Sequence, residues 1–310
     1  MGPVSRQVWR VIAAVVAAGA LVSGCANGPS QVGAAAIVGS QVLPLDEVQQ
    51  QIQVALGADK QQLRLRLAAG YGGSGDELAI RQVVTTAVRG VLLDQAAAEN
   101  GIVISDAQID AVIAQRGGPE VVERNSLGSL DEARADIRGE LIAIELGRRW
   151  IDRLSVTFDV AYATSEEELR LKQQQVLAGG SAADAVFTTG PAERGRVADG
   201  SSTSSARLLA IVGGIDAGNL LVLNPQDSRD PWTLVRITER RTDVSAAAGG
   251  QSAGATAGDE LLYAIGVQML RPLADQLGVR TNPRYGVWDP VAMAVVDKSA
   301  VSGVILPIGR

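Results

Sequence analysis

Residues 96–110 read AAAENGIVISDAQID and mark the end of one helix and the beginning of the next. Gly101 follows a long run with helical periodicity, and glycine is typical of the position just after a helix. Ser105 and Gln108 are spaced as a capping box, in which each side chain satisfies a backbone N–H at the start of the second helix. The stretch therefore predicts two helices joined by a very short extended segment.

Helical periodicity continues on both sides of this stretch. A second capping box, at Ser129 and Glu132, predicts a third helix that runs to about Leu154. Short connections between such helices are typical of a compact helical lobe. The predicted buried face of the first helix, over 76–100, consists of six apolar residues: Ile80, Val84, Ala87, Val88, Val91 and Leu92.

Composition limits the chemistry that the protein can perform. The 310 residues fit about two domains, and 46% of them are hydrophobic, so the chain can bury a sizeable core. The chain has no histidine and one cysteine, which excludes a Ser-His-Asp or Cys-His triad and a His/Cys zinc site. A net charge of −6 argues against nucleic acid as a partner. We expect no catalytic residue, no metal site and no small-molecule cofactor, and an enzyme is the less favoured interpretation.

The amino terminus has the features of an export signal. Arg6 and Arg10 precede an apolar run over 11–22, which suits the core of a signal peptide and is short for a membrane span. The run ends in LVSGC at residues 21–25, which resembles a bacterial lipobox. In a lipobox the cysteine receives diacylglycerol before the signal is cleaved, whereas the alternative is a buried cysteine in an ordinary apolar helix. We favour the lipobox and predict Cys25 as the lipidated residue.

This interpretation divides the amino terminus into a signal peptide, residues 1–24, and a tether, residues 25–36. A diacylglyceryl group buries two acyl chains, which is enough for stable anchoring. The predicted location is the extracytoplasmic face of the bacterial cell membrane, with the membrane reached through this anchor.

The character of the sequence changes after residue 154. VTFDVAY at 156–162 alternates like a strand, a helix opens near Ser165, and two β-rich runs end the segment, which together predict an α+β module over 155–243. Residues 179–205 are rich in small residues and predict a loop. The three acids at 166–168 resemble a metal cluster, but we favour a helix start, where acids meet the positive end of the helix dipole.

The carboxy-terminal part begins with a low-complexity linker over 244–258. An amphipathic helix is predicted over 259–277, followed by a strand over Val287–Val296. A long helix at this position is not stable alone and must pack on another element. The final residues, 299–310, show no pattern and are expected to form an exposed tail.

The quoted stretch at 96–110 resembles the SurA/PrsA type of exported bacterial chaperone, where a helix is followed by gly-ile-x-val-ser/thr-asp and another helix. AIVGSQVL at 36–43 is similar to the opening strand and turn of that family, and NPRYGVW at 282–288 to the tail of lipoprotein members from high-GC bacteria. The resemblance implies that the helix over 259–277 returns to close the lobe. It also implies that Val287–Val296 pairs with the strand near Ala34–Gly39.

The α+β module resembles a degenerate parvulin domain, the fold of one class of prolyl isomerases. Parvulin domains carry one histidine on the first strand and another near the end, and this chain has neither. The first-strand neighbourhood is Asp159 to Tyr162 instead. No catalytic residue is therefore carried over from the resemblance.

The predicted fold class is mainly α with an α+β insert, in which a helical SurA-like lobe is completed by a returning carboxy-terminal helix and strand. The resemblance implies a chaperone-like protein that holds unfolded or newly exported polypeptides without covalent catalysis. The alternatives are an envelope adaptor that binds one folded partner and a prolyl isomerase. The predicted organisation is a signal peptide 1–24, a tether 25–36, a lobe 37–154, a module 155–243, a linker 244–258, a closing helix and strand 259–298 and a tail 299–310.

Overall fold

The structure is a computed structural model that describes residues 33–225, 231–244 and 253–309. Cys25 and the predicted signal peptide lie outside the described residues. The described chain forms a helical lobe and an α+β module that share a packed boundary. The predicted fold class, mainly α with an α+β insert, is confirmed.

Among the described residues, six helices form the amino-terminal part of the lobe, and three predicted signals at their ends are confirmed. Ser105 and Ser129 both make complete capping boxes, with Gln108 and Glu132 as their reciprocal partners. Gly101 ends the long helix with a φ of 60°, a left-handed conformation that glycine adopts without strain. The helices are α1 Leu45–Ala55, α2 Gln61–Tyr71, α3 Gly75–Asn100, α4 Asp106–Gln115, α5 Pro119–Arg124 and α6 Leu130–Trp150.

The module is a five-stranded antiparallel sheet covered by helices. Its elements are β3 Ser155–Ala163, α7 Glu166–Ala178, α8 Gly180–Val186, β4 Ala192–Asp199, α9 Thr203–Val212, β5 Asn219–Leu223, β6 Trp232–Arg241 and β10 Gly303–Pro307. The strand order in the sheet is β10-β5-β6-β3-β4.

The loop predicted over 179–205 is wrong, because that segment contains α8, β4 and the start of α9. Some of its small residues pack in the core of the module. Ala183 and Ala198 are almost fully buried, where a larger side chain would not fit between helix, sheet and neighbouring core.

The carboxy-terminal part returns to the lobe as two helices, α11 Asp259–Met269 and α12 Arg271–Leu277, which follow a short helix α10, Ala253–Thr256. The helix predicted as continuous breaks at Leu270, because Pro272 begins a new helix and cannot continue the old one. Glycines bring α11 and α6 into very close contact. A Cβ atom built on Gly266 would lie 1.8 Å from the carbonyl oxygen of Ala143, and one on Gly147 would lie 1.9 Å from that of Leu262.

Helix α11 also joins the lobe to the module. Leu262 and Ile265 belong to the same buried cluster as Val156, Leu209 and Ile237 of the module. On the lobe side, Val267 and Leu270 pack in a second cluster with residues of α3 and α6. The two parts of the protein therefore share one helix as a common wall.

A three-stranded sheet caps the lobe and corrects one prediction. Strand β1, Ala34–Val38, pairs with β2, Gln41–Pro44, and on its other side with β7, Val279–Thr281. The predicted pairing of Val287–Val296 with β1 is wrong. Gly278 ends α12 with a φ of 74° and turns the chain directly along β1, so the next residues take that edge.

Residues 287–296 form a hairpin of their own instead of one strand, with β8 Val287–Asp289 and β9 Ala294–Val296. Asp289 makes the turn, because its Oδ1 accepts the backbone N–H groups of Val291 (2.8 Å) and Ala292 (3.1 Å). Proline at 290 removes one N–H that a continuous strand would need.

The last residues are not an exposed tail. Strand β10 pairs over its whole length with β5, at the edge of the module sheet. The buried carboxylate of Asp289 holds the chain just before this strand, since its Oδ2 accepts the backbone N–H of Ser302 at 2.7 Å. The carboxy terminus therefore ties the module to the hairpin of the lobe.

No helix among the described residues is both long enough and apolar enough to cross a membrane.

Candidate functional site

A crevice of about 1070 Å³ lies in the lobe. One wall is α3, and the opposite wall is formed by α5, the loop that follows it and the first half of α6. The start of α11, from Asp259 to Tyr263, and Gln51 of α1 complete the rim. We call this space the lobe crevice.

The floor of the lobe crevice is apolar. Leu93, Val122, Ala133 and Ile137 are buried and line it, and three partly exposed apolar side chains extend it: Val83, Val121 and Leu127. On α3 the lining positions recur every three or four residues, which places them on one face of that helix. The floor therefore follows from the same periodicity that makes α3 amphipathic.

Gly90 keeps part of this space open. It lies in the middle of the 26-residue helix α3, where glycine costs roughly 1 kcal/mol relative to alanine. A Cβ atom built on Gly90 would meet no other atom within 4 Å, although the residue lines the crevice. No packing contact therefore requires glycine at this position, and a larger side chain would project into empty space.

Two polar contacts hold the outer wall of the crevice in place. The buried Lys60 Nζ donates to the carbonyl oxygen of Glu123 at 2.6 Å, which ties the end of α5 to the segment before α2. Arg116, just after α4, donates to both carboxylate oxygens of Glu140 at 2.6 and 2.8 Å. Beneath them, α4, α5 and α6 share a separate small core. The outer wall is thus a small helical unit braced against the rest of the lobe.

An acidic row runs along the α6 wall. Glu132, Asp136 and Glu140 are spaced four residues apart, so they lie on one face of the helix and line the crevice. Protein walls remove much of the water around Asp136, although the carboxylate remains open to the crevice, and this burial raises its pKa to about 6. Repulsion from Glu132 and Glu140 adds to the shift.

The two arginines of the crevice have structural partners. Besides Arg116, the crevice contains Arg89 of α3, whose Nε donates to the carbonyl oxygen of Met293 at 2.7 Å. Its Nη2 donates to the carbonyl of Ala292 at 3.2 Å and its Nη1 to the hydroxyl of Tyr263 at 3.4 Å. Arg89 therefore holds the hairpin turn against the lobe and faces the crevice only in part.

A second polar cluster lies in the module, on its first strand β3. Asp159 of β3 is buried and accepts from Arg236 of β6 at 2.7 and 3.1 Å and from the backbone N–H of Gly195 at 2.9 Å. The Arg236 guanidinium also donates to Asp184 at 2.9 Å and lies 4.4 Å from the ring centre of Phe187. Burial works against the charge of Arg236, but the two carboxylates outweigh it and raise its pKa.

This cluster is a closed structural ion pair. Asp159 and Arg236 lie directly opposite each other in the β3–β6 register, so the sheet itself aligns them. Their hydrogen bonds engage both oxygens of the Asp159 carboxylate and all three nitrogens of the guanidinium. Neither group is left to act on a substrate.

The remaining residues weighed as site candidates lie elsewhere. The acids at 166–168 begin α7 behind the cap of Ser165, as favoured from the sequence. Hydrogen bonds from Lys172, and from the N–H and hydroxyl of Thr164, lower the pKa of Glu168 to about 2. In the described parts of the chain no group of three His, Cys, Asp or Glu side chains could hold a metal ion.

Sequence reasoning did not identify the residues that line the lobe crevice. Two signals were available: the i, i+4 spacing of Glu132, Asp136 and Glu140, and the single glycine at position 90 inside a strong helix pattern. Neither signal is informative until the fold shows that the two helix faces oppose each other.

Comparison with known proteins addresses the amino-terminal part. Residues 4–118 match the family described as the SurA-like N-terminal domain. No curated protein matches the chain. Among solved structures, the foldase protein PrsA from Lactococcus lactis matches at 9% identity and a TM-score of 0.29, over 81% of this chain and 95% of that one. Foldase protein PrsA from Streptococcus pneumoniae matches at 11% identity and a TM-score of 0.25, over 79% and 94% of the two chains. The family match confirms the resemblance read from the sequence for residues 4–118, which are similar to a SurA-like N-terminal domain.

Proposed function

We propose that the protein is an extracytoplasmic chaperone that holds extended segments of unfolded or newly exported polypeptides in the lobe crevice. The observation that carries the proposal is the crevice itself, with a buried apolar floor and a volume of about 1070 Å³. Pockets for small molecules measure roughly 300–1,000 Å³, so this space suits several side chains of a polypeptide.

The energetics of the crevice suit holding without catalysis. Burial of one valine- or leucine-sized side chain contributes about 1.5–3 kcal/mol. Ordering of the segment and of the crevice side chains offsets part of this gain. A few apolar side chains then give weak, reversible binding, which lets a client leave and fold. The closed Asp159–Arg236 pair favours this function over prolyl isomerisation in the module.

Gly90 provides a direct test. Gly90→Trp places a large side chain in the open part of the crevice, and Gly70→Trp is the matched control. Gly70 also lies in a helix, and a Cβ atom there also meets nothing within 4 Å, but it does not line the crevice. We expect the unmodified protein and Gly70→Trp to suppress aggregation of an unfolded exported client at near-stoichiometric ratios. Gly90→Trp should lose most of this effect.

Equal suppression by both variants would reject the lobe crevice as the client site. Absence of suppression by the unmodified protein, together with capture of one folded partner at fixed stoichiometry, would favour the adaptor function. A protease-coupled proline assay in parallel checks the isomerase alternative, for which we expect no rate above the uncatalysed reaction.

We also propose that Cys25 carries a diacylglyceryl anchor that holds the protein at the outer face of the bacterial cell membrane. The support is the sequence LVSGC with its preceding charges and apolar run. Two acyl chains, at about 0.8 kcal/mol per buried CH₂, give stable anchoring. In cells fed with radiolabelled palmitate, the unmodified protein should incorporate label and Cys25→Ser should not. Labelling of Cys25→Ser at the unmodified level would contradict the assignment.

A further inference from the structure

The charged residues that line the lobe crevice are mostly acidic. Five acidic residues line it against two arginines, and one of these arginines is neutralised by its double hydrogen bond to Glu140. The other, Arg89, is directed to backbone carbonyl groups of the hairpin. The acidic residues that line the crevice are Glu132, Asp136, Glu140, Asp259 and Glu260.

Asp136 differs from its two neighbours in the acidic row. The Glu132 carboxylate caps its own helix and accepts from the N–H and hydroxyl of Ser129 at 2.6 and 2.9 Å. Glu140 is paired with Arg116. Within the described residues, Asp136 makes no hydrogen bond and no ion pair, although it faces an open cavity. The row therefore presents one unpaired carboxylate to an occupant of the crevice.

An ionised Asp136 is disfavoured in the crevice, because walls of protein replace part of its water and two carboxylates lie one helical turn away on either side. Its raised pKa reports this cost. A cation placed beside Asp136 would relieve the cost, whereas a second anion would increase it. The crevice is thus complementary in charge to a basic occupant.

Building on the function proposed above, we propose that the lobe crevice selects extended segments in which a lysine or arginine accompanies apolar residues, and that Asp136 binds the cationic group. Apolar side chains of the segment pack on the floor, where Ile137 and Ala133 adjoin the acidic row. The ammonium or guanidinium group donates to the Asp136 carboxylate.

The spacing of the row agrees with an extended occupant. Residues four apart on a helix are separated by about 6 Å along its axis. Alternate residues of an extended chain, which point to the same side, are about 6.6 Å apart. A segment that lies along α6 can therefore present side chains of one face in step with Glu132, Asp136 and Glu140.

The test uses three fluorescent nonapeptides with the same apolar residues and a central lysine, glutamine or glutamate. Binding to the full chain is measured at pH 7.5 by fluorescence anisotropy. The variants are Asp136→Asn, which keeps the shape and removes the charge, and Glu167→Gln, which removes an exposed carboxylate from α7, outside the crevice. We expect the lysine peptide to bind about three- to fivefold more tightly than the glutamine peptide, the size expected for an ion pair open to solvent.

Asp136→Asn should abolish most of this preference and Glu167→Gln should leave it unchanged. Equal binding of the three peptides, or an unchanged preference in Asp136→Asn, would overturn the selectivity while the holding function stands. If Gly90→Trp binds all three peptides as tightly as the unmodified protein does, the holding function itself is rejected. The two failures are therefore distinguishable.

Discussion

We expect the same substitution, glycine to alanine, to have opposite effects on stability at two helical positions, Gly266 and Gly90. Gly266 of α11 lies against α6, and a Cβ atom there would be 1.8 Å from the carbonyl oxygen of Ala143. Side-chain carbons essentially never approach other atoms closer than 3.0 Å, so the two helices must separate by about 1.2 Å. A gap of 0.5–1 Å already removes roughly a quarter to a half of the dispersion attraction between packed atoms.

The magnitude follows from two opposing contributions. Alanine in place of glycine in a helix contributes about 1 kcal/mol of stability. Overpacking against backbone costs about 3 kcal/mol or somewhat more, so Gly266→Ala should be destabilised by about 2 kcal/mol. Gly90→Ala meets no neighbouring atom and should gain the full contribution of about 1 kcal/mol.

Scanning calorimetry of the two variants measures the difference. At about 2–3 °C per kcal/mol for a chain of this size, we expect the Tm of Gly266→Ala to fall by about 5 °C and that of Gly90→Ala to rise by about 2 °C. A Tm of Gly266→Ala at or above that of the unmodified protein would refute the close packing of the returning helix on α6. Gly147→Ala, on the facing helix, should lower the Tm in the same way, because its Cβ would lie 1.9 Å from the Leu262 carbonyl oxygen.

Three further predictions address the site and the module. The raised pKa of Asp136 means that its ionised form is less favourable in the folded state than in the unfolded state. Asp136→Asn should therefore raise the Tm at pH 7.5 but not at pH 4, where the carboxyl of the folded protein is already protonated. Equal Tm shifts at both pH values would contradict this prediction. For the same reason the lysine preference of the crevice should fade as pH drops through about 6. The other charged residues that line the crevice are Glu132, Glu140, Asp259, Glu260, Arg116 and Arg89. A constant peptide affinity ratio from pH 7.5 to 5 would count against this prediction. Deletion of residues 303–310 should remove hydrogen-exchange protection from β5, whose outer edge pairs with β10, and should leave α3 protected. Unchanged hydrogen exchange in β5 would show that β10 is not paired with β5.

The Asp159–Arg236 pair gives a matched prediction on stability. Asp159→Asn leaves the Arg236 guanidinium with Asp184 as its remaining carboxylate partner, and loss of one member of a buried pair costs about 3 kcal/mol. Urea unfolding followed by tryptophan fluorescence should show this loss, with Glu167→Gln as the exposed control. A loss of stability no larger than that of the control would argue against a structural role.

The helical part of the fold was predictable from short segments of sequence. The capping boxes at Ser105 and Ser129 and the end of α3 at Gly101 depend on hydrogen bonds between residues three or four positions apart. All the atoms involved are therefore present in the local sequence. The exclusions drawn from composition are equally independent of the fold, since no packing can supply a histidine that the chain does not contain.

Strand pairing and the crevice were decided by tertiary structure. Both Val279–Thr281 and Val287–Val296 have strand character, and only the turn at Gly278 selects the first as the partner of β1. Likewise, β10 is recognisable only beside the open edge of β5. Asp136 becomes a candidate binding residue because distant helices form a crevice in front of it, where lost water and two neighbouring glutamates raise its pKa. It has no partner among the described residues. Local hydrogen bonds depend on residues that are neighbours in the sequence. Burial and the pairing of edge strands depend on which remote segments meet, so only the folded chain determines burial and pairing.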